Sequence, residues 1–197
     1  PLKNYNHAME NMKGQYKPEE PYWQFPMPFG DYTLILHGMN SVYISSRKDH
    51  ESQSGDSQTE ERKMVLNKGQ VPGKHYRTIY LSMCHHPPEC WINQEIADYM
   101  DGRVRIQLYG HKHKQSIDAN ERRIRIYSGA LQPEHDPKYT PQYNWIVLEI
   151  NEKKLEAKIY PRIYAEYDGE FKPSYSECDP GELFRQCVLD LGETAKE

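Results

Sequence analysis

The stretch from Thr78 to Tyr109 constrains the fold more than any other part of the chain. Thr78-Ile-Tyr-Leu-Ser-Met83 is a short apolar run with little alternation, the pattern of a strand buried on both faces. Trp91 to Met100 has apolar positions at Trp91, Ile92, Ile96 and Tyr99, with Gly102 just beyond, and predicts a helix covering that strand. Arg103-Val-Arg-Ile-Gln-Leu-Tyr109 alternates and predicts a second strand. A strand–helix–strand unit of this size places its strands side by side and parallel. The expected class is therefore α/β.

Strands dominate the rest of the reading. Tyr32–His37 and Ser41–Ser45 predict two strands with a turn at Gly38. Arg123–Tyr127 predicts another, and Asn144–Ile150 with Leu155–Tyr160 predicts a hairpin around Asn151-Glu-Lys-Lys154. Residues 3–14 read as a short helix ended by Gly14. Lys17 to Phe29, rich in Pro and aromatics, reads as an extended covering segment, because Pro removes backbone donors. Residues 46–62 are Ser, Gln and charge, a loop signature. Residues 165–180 read as irregular, and Leu183–Leu191 as a terminal helix. The length of 197 residues suits one domain, taken as residues 1–165 followed by a C-terminal tail, 166–197.

Composition adds a shortage. The hydrophobic fraction is 37%, with 16 Tyr among it, and the mean hydropathy is −0.97. An average globular domain is roughly 45–50% apolar. The 12% aromatic content argues against plain disorder. Either the core is thin and aromatic, or part of the domain lies outside this chain. Lys plus Arg is 25 against 29 Asp plus Glu, a formal charge of −4, which disfavours a general nucleic-acid binder. No apolar run approaches the roughly 18 residues of a membrane span. Pro1–Lys13 has no apolar signal core, so the expected location is cytoplasmic. Cys84, Cys90, Cys178 and Cys187 are spaced C-x5-C and C-x8-C, unlike C-x2-C zinc sites, and are expected as reduced thiols.

Nine histidines are present, and four fall into two tight clusters. Cys84-His85-His86-Pro87-Pro88 follows the strand 78–83 directly, and Gly110-His111-Lys112-His113 follows the strand 103–109 directly. Parallel neighbouring strands would deliver both clusters to one C-terminal sheet edge, where open sheets collect ligands. Neutral imidazole is a good ligand for Zn, Fe, Mn and similar cations. In an extended H-x-H, both side chains point the same way and Lys112 points away. Gly110 permits a sharp turn, and Pro87 and Pro88 stiffen the other. Taken singly, H-H-P-P reads as a turn and a strand histidine as hydrogen-bonded core. Taken together, the two clusters predict a shared metal site.

At these residues the sequence resembles the calcineurin-like metallophosphoesterases. Two of that family's late motifs, a strand ending in H-H-P and a strand ending in G-H-x-H, stand here as His85-His86-Pro87 and Gly110-His111-Lys112-His113. Gly38–Ser46 is similar to the strand common before them. Tyr127-Ser-Gly-Ala-Leu131 and the closing hairpin fit the family's second sheet. The similarity covers most of residues 30–165. It implies a four-layer α/β/β/α sandwich and a metal-dependent phosphoesterase, a hydrolase or phosphatase with two divalent ions, of Mn, Fe, Zn or Ni. His85 and His111 would bind one ion and His113 the other, with His86, Lys112 and Lys114 nearby. Ions about 3.5–4 Å apart would hold a bridging hydroxide that attacks phosphorus in line.

The family's earlier D-x-H, G-D-x-x-D and G-N-H-[DE] motifs are absent, and Asn6-His7 is the only Asn-His pair. The chain therefore resembles the C-terminal half of that sandwich, which fits the shortage of apolar residues. Three imidazoles without carboxylates hold one soft-to-borderline ion and do not balance two. The expected partners are a phosphate ester substrate and an N-terminal half of the same domain, with no membrane and long nucleic acid disfavoured. Two other functions compete: a catalytically inactive phosphoesterase-like binding module using the Tyr- and Pro-rich segments 16–32 and 133–145, and a histidine-rich structural protein whose clusters are turns. His37, His50, His75 and His135 have no partner pattern.

Overall fold

A computed structural model describes residues 20–42, 64–131 and 140–192. They form a mixed α/β fold with parallel and antiparallel strand pairs and few helices. The chain divides into two compact units, one within Pro1–Lys74 and Thr78–Val104, the other comprising His75–Arg77 and Arg105–Glu197.

In the first unit, β1 (Tyr22–Phe29) and β2 (Tyr32–Met39) form an antiparallel hairpin turning at Gly30, whose φ is +59°. The prolines Pro26 and Pro28 fall on β1, which lies at the end of the strand order. An edge strand tolerates Pro because a ladder donor is dispensable on its outer side. β3 (Thr78–Cys84) runs parallel to β2, from Thr33 opposite Thr78 to Gly38 opposite Met83. Ile79, Tyr80, Leu81 and Ser82 are consecutive and all buried, as the unbroken apolar run predicts.

Helix α1 (Gln94–Asp101) occupies the later part of the predicted helix. Its buried residues, Ile96 and Met100, are four apart and so share one face. Burying each contributes about 1.5–3 kcal/mol. The Gly102 N–H closes the helix on the Asp98 carbonyl at 3.1 Å. Ahead of the helix, Met64 is bridged to the segment around Trp91: its N–H donates to the Cys90 carbonyl and its carbonyl accepts from Ile92. Leu66 and Trp91 are both fully buried.

The second unit holds β4 (Ile106–Tyr109), β5 (Ser116–Ala119) and β6 (Ile124–Tyr127), with β6 parallel to β4 and antiparallel to β5. Its other sheet contains β7 (Gln142–Asn151), β8 (Lys154–Ala165), β9 (Glu170–Pro173) and β10 (Arg185–Asp190). β8 is central, pairing β7 on one side and β10 and β9 along the other. Leu155, Ala157, Ile159 and Pro161 of β8 are buried, so its odd-numbered residues face the core.

Four expectations change. Gly38 is not a turn but an interior residue of β2, placed opposite Trp23 of β1. Of the predicted strand 41–45, Ser41 and Val42 are not in a strand, and the remainder lies outside the described residues. The terminal helix at 183–191 is instead β10, because its residues pair with β8 from Arg185 opposite Ile159 to Asp190 opposite Lys154. The irregular stretch 165–180 contains β9. The 151–154 hairpin stands, tightened to a turn at Glu152 and Lys153 with Glu152 at φ +56°. The helix at 3–14, the loop at 46–62, Asn6-His7, His50 and His135 lie outside the described residues. Among the described residues, no helix is long and apolar enough to cross a membrane.

Candidate metal centre

The first histidine cluster belongs to the first unit. β3 ends at Cys84, and the chain passes through His85 and His86 into a short helical turn, Pro88–Cys90. Pro88 opens that turn, so its fixed φ and missing donor cost nothing there. His85 is exposed and His86 is buried, with their rings edge to face at a centroid separation of 4.7 Å.

Three bonds hold His86. The Ser41 hydroxyl lies 2.9 Å from its Nδ1 and accepts its backbone N–H at 3.2 Å. Its carbonyl accepts the indole N–H of fully buried Trp91 at 3.0 Å. A ring whose Nδ1 is occupied by a hydroxyl meets other groups through Nε2, the arrangement that commonly orients a ligating imidazole. Cys84 is buried beside this cluster, and burial pushes its thiol up to about 11, so it is a neutral thiol rather than a thiolate ligand.

The second cluster belongs to the second unit. β4 ends at Tyr109, and the backbone turns tightly: the Lys112 N–H donates to the Gly110 carbonyl at 2.8 Å. The residue at the centre of that three-residue turn is His111, at φ +67°. His113 follows at φ +52°. A three-residue turn with positive φ at its centre is the rare and strained form. Left-handed backbone at a non-glycine residue costs of order 1 kcal/mol or more and clusters at functional sites. The expectation of an extended H-x-H is corrected here: two left-handed residues break the period-two alternation, and the turn rather than strand pleat aims the rings. Lys112 extends over the Tyr127 ring, its Nζ 5.3 Å from the centroid. Tyr127 in turn stands 5.9 Å from Tyr109.

Both clusters thus occupy turns that leave the C-terminal ends of short strands, and each carries two imidazoles. Of these imidazoles, those of His85, His86 and His111 could hold a metal ion, and nitrogen donors of this kind suit zinc and its neighbours.

No protein-family model matches the chain, and no curated protein matches it. Among solved structures it is similar to crystal structures of Vps29 from Entamoeba histolytica. A single-mutant form is 12% identical, with 89% of this chain and 64% of that chain covered and a TM-score of 0.33. A double-mutant form is 13% identical over 84% and 59%, at 0.32. The wild-type protein complexed with Zn2+ is 14% identical over 86% and 61%, at 0.32. The chain spans less than two thirds of the length of each.

Sequence reading missed Ser41 as the partner of His86, because the two are 45 residues apart and Ser41 lies outside any regular element. It also missed what His37 does. His37 is buried; its Nε2–H donates to the Gln70 carbonyl at 2.6 Å, and its Nδ1 accepts from the Gln24 amide at 3.2 Å. Gln70 is itself buried and exchanges two bonds with the Asn40 backbone. His37 is therefore hydrogen-bonded core, the reading that applies to a lone strand histidine.

Proposed function

We propose that the chain carries the second half of a metal-dependent phosphoesterase centre, with His85, His111 and His113 as its cation ligands. What supports this most is the pair of strained, left-handed histidines directly after β4, matched by an H-H-P turn directly after buried β3. Non-glycine residues held in this region cluster at functional sites.

The donor set fits a single borderline cation such as zinc, nickel or iron. The motifs that carry the family's bridging Asp and other oxygen ligands are not in this chain. Three neutral nitrogens leave the charge of a second divalent ion unbalanced, so a binuclear centre needs carboxylates from elsewhere. When bound, the cation would act as a Lewis acid toward a phosphate oxygen. His86, held by Ser41 and by the Trp91 indole, keeps one ring orientation next to His85. Lys112 lies against Tyr127.

The test is hydrolysis of a generic aryl phosphate in the presence of manganese or zinc. The chain alone should give no turnover above buffer. A polypeptide that supplies the D-x-H, G-D and G-N-H motifs should restore turnover, and His111→Ala should abolish it. Turnover by the isolated chain that His111→Ala removes would contradict the half-site reading. Turnover that His111→Ala leaves intact would contradict the ligand assignment.

A further inference from the structure

The sheet made by β7, β8, β9 and β10 has two unlike faces. Odd-numbered residues of β8 turn inward and are buried. The even-numbered ones lie on the opposite face, where Tyr160 stands directly opposite Trp145 of β7, and Phe184 lies 5.4 Å from the Tyr160 ring. Trp145 is 66% exposed. Tyr160 and Phe184 are half-buried beside it, and Trp and Tyr are enriched near the centres of binding surfaces.

Two cations are built into the row. Arg162 lies over Tyr160 at 5.6 Å and Lys158 over Phe184 at 5.8 Å. Arg162 is also held by donating to the Pro161 and Leu183 carbonyls, so its guanidinium is positioned rather than loose. Neither Arg162 nor Lys158 forms an ion pair among the described residues.

We propose that this face docks a short acidic peptide with one aromatic or large aliphatic anchor. The anchor packs on Trp145 and Tyr160, and carboxylates pair with Arg162 and Lys158. The face also limits what else fits. Glu149 and Glu156 stand opposite each other farther along β7 and β8. Four residues of strand separate them from the aromatic row, roughly 13 Å. A nucleic-acid strand, with a phosphate on every nucleotide, would run from the cations into these carboxylates. A peptide needs only one or two negative charges beside its anchor. This proposal is independent of the metal centre.

The test is selection of short random peptides from a display library on the wild-type chain, with counter-selection on Trp145→Ala/Arg162→Glu. The enriched peptides should carry net negative charge and an aromatic or large aliphatic residue. A synthetic copy of one should shift the Trp145 indole resonance, bind about tenfold or more weakly to either single variant, and lose affinity as salt rises. Lys158→Glu should weaken it too, and circular dichroism should show each variant folded as wild type. Enrichment of basic or neutral peptides, or no enrichment over the counter-selected variant, would overturn the proposal. So would a random single-stranded DNA pool that shifts the same indole and displaces the peptide.

Discussion

His37 is closed in by two hydrogen bonds that use both of its ring nitrogens, and burial lowers its pKa below the ordinary 6.5. The bond to the Gln70 carbonyl opposes this shift without reversing it. A group whose folded pKa is depressed binds its proton more readily in the unfolded chain. The stability His37 contributes is therefore complete above pH 6.5 and lost as pH falls from there through the folded value. Urea midpoints measured across that window should fall with acid in the wild-type chain and fall less steeply in His37→Asn. Equal slopes would show that His37 does not carry the effect. At this scale the sequence was informative about chemistry and silent about partners. The spacing of His85, His86, His111 and His113 after two strands singles them out as candidates. Nothing local could connect Ser41 to His86 or Gln70 to His37, because those bonds join residues 45 and 33 apart through tertiary packing.

Gly38 is the clearest case at the scale of elements. It reads as a turn residue, yet it continues β2 because Trp23 packs where a side chain would stand: a Cβ at Gly38 would collide with the indole ring. An isolated glycine within a strand pattern commonly marks such close approach. Gly38→Ala should cost about 1–3 kcal/mol through overpacking. Its urea midpoint should drop in the variant, and Trp23 fluorescence should shift. An unchanged midpoint would mean that the indole moves aside freely. β10 was misread for a related reason. Leu183, Phe184, Cys187, Val188 and Leu191 satisfy a helical spacing, while Cys187, Leu189 and Leu191 satisfy alternation. Only pairing with β8, which buries Cys187 and Leu189 and exposes Gln186 and Val188, decides between the two. The long apolar signals at 78–83 and 144–160 needed no such help, since burial on both faces and a four-residue hairpin turn are local patterns.

For the molecule as a whole, the apolar shortage and the aromatic excess have a structural counterpart. Many of the rings form no part of a deep core; Trp145, Tyr143 and Tyr167 are exposed, and Tyr160 and Phe184 line an outward sheet face. We propose that the imidazoles at 85, 111 and 113 serve one cation. Calorimetric titration of zinc into the metal-free chain, compared with His85→Ala/His111→Ala, tests it most directly. The account predicts one zinc per chain and loss of that binding in the double variant. Zinc binding of equal stoichiometry and affinity in both proteins, or none in either, would contradict it.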